Sequence, residues 1–570
     1  MRASRLRRTL RAVTVMVAAL SLTACVGLPV QGEVEVGLRV DEAPRLPEFF
    51  QVASGPVAGA GPEEIVRGFL EAAITPADSW KIARQFLTPE LADTWKPSAS
   101  VTVDASVASR TITASTEAED AVESDVLVQL AQVANVDESG GYAEATGAAE
   151  IPFRLERTRD GEWRIAETPD GVVLDETTFS QVFDKYAVQY FDPSWTRLVP
   201  DIRWYPRRAT IATTIAQAVV DGEPSSWLVP AVRSAFPADV VLARDAVPID
   251  GAQVADVALN RAALALDQPT LARMRTQLEA SLVGAGIGVS EVSFSVDGRR
   301  LEAATVRLNE PVAEPGTLVL TADAFGTIVG DEVTPVAGVS EEILSITQPI
   351  AAIDLAVDDS HAAVRLASGQ VFRVGDGRVD QLDARPGLVD PSIDPYGFIW
   401  SVPSGEPQAL QASTADATPH QVAEAWPGAS VITQLRVSAD GARVAAVVTV
   451  GGQRWVVVSS VIRGDAGVPI ELGPMKQLTR LTESSDGLVW MGLDRVGILT
   501  GPADPTVITQ TIGGTGTSAA APSDAVALAG ARSALGVRVL GAGGVVFVRS
   551  GSAWQESASG VLVLATRAGQ

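Results

Sequence analysis

His361 and His420 are the two histidines of the 570-residue chain, and Cys25 is its one cysteine. Either imidazole can serve as a base beside a distant serine and aspartate. Each, however, sits among turn-forming residues and reads as a solvated loop histidine. The adjacent acids Asp358/Asp359 and Glu341/Glu342 are of the type that binds a cation or forms a glycosidase dyad, but such a dyad depends on a carboxylate separation that adjacency does not set. Gly284, Gly286 and Gly288 imitate a dinucleotide-binding loop. They follow a helical run and precede a strand, whereas a phosphate loop needs the next helix's N-terminus facing the anion, so they read as a helix end and turn. Neither a Gly-x-Ser-x-Gly nucleophile elbow nor a Walker A sequence occurs. One thiol makes neither an internal disulfide nor a multi-thiolate metal site. With 69 acids against 44 bases and a net charge of −25, the clustered basic face that nucleic acid requires is not expected. No catalytic, metal or cofactor site is expected, and the chain reads as non-enzymatic.

Cys25 has a different chemistry in view. Residues 1–11 carry Arg2, Arg5, Arg7, Arg8 and Arg11 and no acid, and residues 12–20 are apolar apart from Thr14. A basic start, a short apolar run and small residues at the cut make a secretory signal, and the run is too short to span a bilayer. Leu22-Thr23-Ala24-Cys25 resembles a bacterial lipobox, with Cys25 as the acylated first residue of the mature protein. Two or more acyl chains give a stable anchor where one is marginal. Loss of five arginines and no acid takes the formal charge from −25 to −30. Such a chain is repelled by anionic lipid, so the acyl groups must hold it on the extracytoplasmic face of the cell membrane.

These residues must be positioned by several modules. Residues 1–24 form the signal peptide, and 25–61 an acidic Pro/Gly tether spanning about 30–35 Å. Residues 62–190 read as an α+β domain. A helix starts at Pro62 with Glu63 and Glu64 in its first turn, a second is expected over about Asp78–Leu87, and a third follows Thr88-Pro89. Alternation then sets in at Val101/Val103, Val126/Val128/Leu130 and Ile151/Phe153/Leu155, with a hairpin at Arg159–Glu162. The stretch Phe153–Gly171 looks like the closing hairpin of cone-shaped folds similar to nuclear transport factor 2. Such cones hold ligands, though no acid/base pair lines this alternation and a packed scaffold is the plainer reading.

Tyr190–Pro206 is dense in aromatics and prolines. It reads first as a rigid connector with rings packed between modules, and second as a partner-binding surface, since Trp and Tyr are enriched at hot spots. Residues 191–325 form a second α+β module. Its helix at Gln268–Val283 is capped by Asp267 and striped by Leu271, Met274, Leu278 and Leu282; strands are expected near Val247–Ile249, Val254–Leu259 and Val289–Val296. Residues 326–570 show short strands and recurrent turns: Asp394–Trp400, Ser438–Arg443 and Ser485–Trp490, their aspartates 46 residues apart. Weaker echoes stand at Asp358–His361 and Gly541–Phe547. A period near 46 is the mark of a β-propeller, here of five to six blades.

This order of parts, with Tyr190-Phe191, Leu198–Asp201 and the run Phe69–Trp95, resembles the LpqB family of actinobacterial lipoproteins. The module holding Arg275-Thr-Gln-Leu278 resembles a GerMN domain. Four lysines beside forty arginines also suit a GC-rich genome. The resemblance implies an accessory of a two-component system, MtrA–MtrB, that binds the extracytoplasmic domain of the sensor histidine kinase and affects cell-wall homeostasis and division. The alternative is a lipoprotein that binds envelope glycan or a wall protein. Of particular residues, the resemblance carries over only Cys25, as the palmitate-bearing anchor.

Overall fold

The alternation of Glu123–Asp137, in which every second side chain but Gln132 is buried, builds the long central strand of the first domain. In the computed structural model the sheet runs Trp163–Glu167, Tyr142–Arg157, Glu123–Asp137, Ser100–Asp104, Val172–Asp175, with Thr111–Ala114 also paired to Glu123–Asp137. Neighbours are antiparallel except Ser100–Asp104 and Val172–Asp175, which are parallel. The structure describes residues 53–569 apart from 116–120, 310–315, 331, 415–416, 502 and 532. Against the sheet packs the helix Pro62–Ala72, with Gly61 and Glu64 forming its cap and Ile65, Val66, Phe69 and Leu70 buried. Thr88 caps Pro89–Thr94 through the Leu91 N–H, as its sequence predicts.

The helix expected over Asp78–Leu87 is absent. Two short 3₁₀ turns, Ala77–Ser79 and Ala83–Phe86, take its place. Asp78, Ser79 and Trp80 adopt left-handed φ of 48°, 54° and 58°, a conformation no α-helix accepts. The reversal sends the Trp80 ring into the core, where its indole N–H donates to the Ala73 carbonyl at 2.9 Å.

The second module sets Gln268–Gly284 against a three-stranded sheet of Arg299–Leu301, Glu291–Val296 and Val254–Ala258. Asp267 caps the helix through the Thr270 N–H at 2.9 Å, and Leu271, Met274, Leu278 and Leu282 are all buried. The expected strand near Val247–Ile249 is reduced to a single bridge between Ile249 and Ala255. Gly286 and Gly288, with φ of 65° and 79°, end the helix and turn the chain.

The C-terminal part is a propeller of six blades. The second begins at Ile350–Leu355, the third at Ser392–Ile393, the fourth at Ala429–Val437, the fifth at Ser485–Trp490 and the sixth at Ala525–Ala529. The first blade is assembled from both ends of the segment. Thr317–Thr321, Phe325–Val329 and Glu332–Pro335 are its outer strands, and Val561–Leu564 supplies the innermost. Thr317–Thr321 thus lies upstream of residue 326. Thr566–Arg567 then adds to Ile350–Leu355 of the second blade, and Gly569 bridges to Ser438 at the fourth. Hydrogen bonds lace the inner strands together: Ile393 N–H to Asp354 at 2.6 Å, Val437 N–H to Ser392 at 3.1 Å, and the Trp490 indole to the Arg436 carbonyl at 3.0 Å.

The recurrent turns are not all equivalent. Asp394 and Asp440 each follow the innermost strand of their blade, but Asp486-Gly487 lies within the innermost strand Ser485–Trp490. The turn that follows the innermost strand of the fifth blade carries Asp494, which faces Lys185 and Arg495 instead of turn N–H groups. The second interval of 46 residues is therefore coincidental, although the architecture it suggested is the one observed.

Candidate functional site

Three places gather the residues from which binding chemistry can be built: the cone, the propeller turns and the junction of the modules. In the cone, the Phe69 ring meets Trp95 at 5.2 Å and Phe153 edge-on at 6.0 Å. A cavity of about 110 Å³ lies among these rings and the loop 168–171. Trp95 is buried and its indole N–H has no partner. A shallow groove of about 870 Å³ adjoins this cavity, sharing Phe153, Thr168 and Pro169 and adding Asp125, Gln129, Arg154 and Glu167. Aromatic walls with one free donor suit a small neutral body bearing a hydrogen-bond acceptor. Arg154 is engaged by Glu123 at 2.9 Å. Most of the cone is filled by side chains such as Val101, Val128, Leu155 and Ile165.

On the propeller, the two histidines do not sit in solvent. His361 is buried at the turn of the second blade, because the next blade's Gly397 packs against its ring. Its Nδ1 shares a hydrogen bond with the Ser360 hydroxyl at 2.9 Å, its Nε2 has no partner, and burial with the nearby Arg373 cation lowers its pKa. His420 belongs to the strand Pro419–Gln421, half-buried edge-on against Phe398 at 6.2 Å.

The repeated aspartates are consumed in holding their turns. Asp394 accepts the Tyr396 and Phe398 N–H groups, the Trp400 indole at 3.0 Å and Arg463 at 2.8 Å. Asp440 accepts the Ala442 N–H, the Ser438 hydroxyl and the Arg443 guanidinium. Asp358 holds Ser360, Asp359 pairs with Arg567, and Glu341/Glu342 lie in the first turn of the helix Ser340–Leu344. Among the described residues, no three His, Cys, Asp or Glu side chains converge as metal ligands.

At the junction, the aromatic segment Tyr190–Pro206 folds back on the chain before it. Phe183–Phe191 and Leu198–Pro206 form a two-stranded hairpin in unbroken register. Tyr186, Tyr190, Phe191 and Val199 join one core with the second module's Leu271, Met274 and Leu278 and with Ala445, Val458, Leu488 and Trp490 of the fourth and fifth blades. Trp204 packs at a tilt against Phe179 at 4.9 Å and Tyr142 at 5.9 Å in the first domain. Beneath it, Arg203 pairs with Asp201 at 2.6 Å, both buried. Burial opposes the Arg203 charge, but Asp201 outweighs it and raises the pKa. Ser225 donates to Asp201 from both its N–H and its hydroxyl.

Two lysines complete the joint. Lys185 meets Asp494 at 3.0 Å, and Lys476 donates to the Tyr142 carbonyl at 3.1 Å with its pKa lowered by burial. Neither lysine stands out in the sequence beyond its rarity. The rings are packed between modules, which is the connector arrangement. Val52–Gln570 forms one compact unit.

Cys25 lies outside the described residues. Among the described residues, no helix is long and apolar enough to cross a membrane.

Three family models match in chain order: the N-terminal domain of lipoprotein LpqB over residues 55–180, a sporulation and spore-germination domain over 187–302, and the lipoprotein LpqB β-propeller domain over 316–563. Among relatives, the chain is 28% identical to Lipoprotein LpqB of Streptomyces coelicolor over 86% of each chain. It is 25% identical to that of Thermobifida fusca, over 86% of this chain and 87% of the relative. To that of Rhodococcus opacus it is 25% identical, over 81% of this chain and 80% of the relative.

Proposed function

Since the chain belongs to the LpqB family of lipoproteins, we propose that it is held on the outer face of the cell membrane by acyl chains on Cys25 and acts there without catalysis, by binding a membrane sensor kinase. The kinase named by the family resemblance is that of the MtrA–MtrB system, and the outcome is control of cell-wall homeostasis and division. Binding biases a kinase only if the two signalling states differ in affinity for the chain. The hairpin Phe183–Pro206 favours this reading, because its strands share one core with the second module and the propeller.

The observation that most favours a protein partner over a glycan is on the propeller. Sugar platforms are exposed aromatic rings, yet Trp400, Trp426 and Trp490 are fully buried and Trp455 and Trp554 half-buried. What the inner strands of the adjacent sixth and first blades expose instead is Val526 and Leu562, at 47% and 64%, apolar surface of the type proteins cover.

Retention of the purified kinase ectodomain on the immobilised chain is the test. No retention, together with clear binding to wall glycan fragments, would sink the kinase reading in favour of the glycan one. Anchoring is tested separately. Cys25→Ala releases the protein to the medium, and unchanged membrane retention of that variant counts against lipidation.

A further inference from the structure

We propose that the tip of the connecting hairpin, with the arginines gathered around it, is a docking site for an acidic polypeptide segment of a partner protein. Trp195 occupies the turn between the two hairpin strands at a left-handed φ of 62°. Its half-buried ring rests on Phe191 at 5.3 Å. The Arg273 guanidinium lies 4.5 Å from the centre of that ring and Arg233 lies 5.9 Å from it. Arg197, at the end of the same hairpin turn, stands 4.8 Å from the ring of Tyr396 on the adjoining propeller turn, whose hydroxyl donates to Asp192 at 2.7 Å. The patch is therefore continuous from the second module through the hairpin to the third blade.

Its charge is unbalanced. Among the described residues, no carboxylate lies within salt-bridge distance of Arg197, Arg233 or Arg273. Asp192, the nearest acid in sequence to Trp195, is spent. Its carboxylate accepts the Thr196 N–H at 2.9 Å, the Arg197 N–H at 2.8 Å, the Ser194 hydroxyl and the Tyr396 hydroxyl. Asp267 interacts with Arg273 through space, but its carboxylate caps Thr270. Arg463, on the other side of Tyr396, is already paired with Asp394. Three cations without a carboxylate partner, Arg197 donating only to the Pro395 carbonyl at 3.4 Å, thus outnumber the two acids beside them, Asp192 and Asp267, on a chain of net charge −25.

Stacking on rings fixes these guanidinium groups, so little entropy is lost when they fork onto carboxylates. Trp flanked by Arg is also the composition of interface hot spots. An anionic membrane is the poorer occupant, because the rest of so acidic a chain is repelled by it. The partner's identity as the kinase ectodomain rests on the function proposed above; the patch and its chemistry do not.

The test uses the whole mature chain with a fluorescein-labelled decaglutamate peptide as probe, followed by fluorescence anisotropy. The expected result is binding that weakens about tenfold between about 50 and about 300 mM salt. Arg233→Gln/Arg273→Gln weakens it by a further tenfold or so with a melting temperature lowered by no more than a few degrees, while Arg233→Lys/Arg273→Lys keeps the salt dependence. No peptide binding, or equal binding by the Gln variant, overturns the proposal. So does preferential binding, lost in the same variant, to vesicles half of phosphatidylglycerol. Kinase ectodomain retained equally by the Gln variant places that interaction elsewhere and overturns the patch as its site while leaving the kinase reading intact. Peptide bound but ectodomain not retained leaves the patch and removes the kinase.

Discussion

The indole N–H of Trp204 donates to the carbonyl oxygen of Gly513 at 2.8 Å, joining a hairpin strand to the last turn of the fifth propeller blade. The ring of the same residue packs on Phe179 and Tyr142 of the N-terminal domain. One side chain thereby ties the first domain to the propeller. Trp204→Phe keeps most of the packing and leaves a carbonyl unpaired, an expected loss of about 1–3 kcal/mol. Urea unfolding monitored by far-UV circular dichroism checks this. If the propeller's transition stays put while that of the N-terminal domain shifts, the modules are not coupled through this residue.

Asp201→Ala removes one half of a buried pair and strands the other. Arg203 then has only the Ser139 and Glu223 carbonyls and the Ser139 hydroxyl to face. The expected cost is about 3–5 kcal/mol, read from the same unfolding curves. A loss below about 1 kcal/mol would mean that the pair is solvated like a surface one.

Truncation after Ser559 deletes the innermost strand of the first blade and the segment Thr566–Gly569 beyond it. The ring is then unsealed, and aggregated or protease-sensitive protein is expected in gel filtration and limited proteolysis. A milder variant, Thr566→Val, loses only the hydroxyl that donates to Asp354 at 2.6 Å, with an expected cost of about 1–3 kcal/mol. A truncated chain that elutes and resists protease like the full one would show that closure does not depend on this strand.

Acid sensitivity is expected from His361. Its folded pKa lies below the ordinary imidazole value of about 6.5, chiefly through burial. The stability it contributes is therefore present above that value and lost as pH falls through the folded pKa. Asp354, raised by burial, acts in the opposite direction, favouring the folded state as pH falls. The clean readout is the difference in stability between the parent chain and His361→Gln, measured from about pH 7 to about pH 5. The gap between them should change across that range; parallel curves would remove His361 from the account.

What was legible in the sequence was whatever local pattern decides. The helix after Asp267 was readable because its cap, Pro at the start and apolar stripe agree. The strand Glu123–Asp137 was readable because alternation survives along its length. The hairpin was less so: Pro200 and Pro206 argue against strands, yet a two-stranded ribbon leaves one edge of each strand unpaired, where a missing N–H costs nothing. The failure at Asp78–Leu87 has the reverse cause, since a helical stripe was present but tertiary burial of Trp80 overrode it. The burial of His361 depends on a turn of the next blade, which no local window contains. The Trp195 patch is hidden from the sequence for the same reason, as Arg233 and Arg273 reach it from separate parts of the second module.

The composition of the first blade has a consequence for how the molecule is made. A chain synthesised as far as Val329 holds outer strands whose inner neighbour, Val561–Leu564, does not yet exist. Until it arrives, the inner edge of Thr317–Thr321 presents unpaired backbone groups, the kind of edge that recruits strands from other chains. Closure also demands a contact between distant parts of the sequence, which makes it a slow step. The folding propeller is therefore exposed to misassembly until its last strand is in place. A chaperone that shields strand edges would matter most to this part of the molecule and least to the N-terminal domain, whose sheet is complete by Asp175.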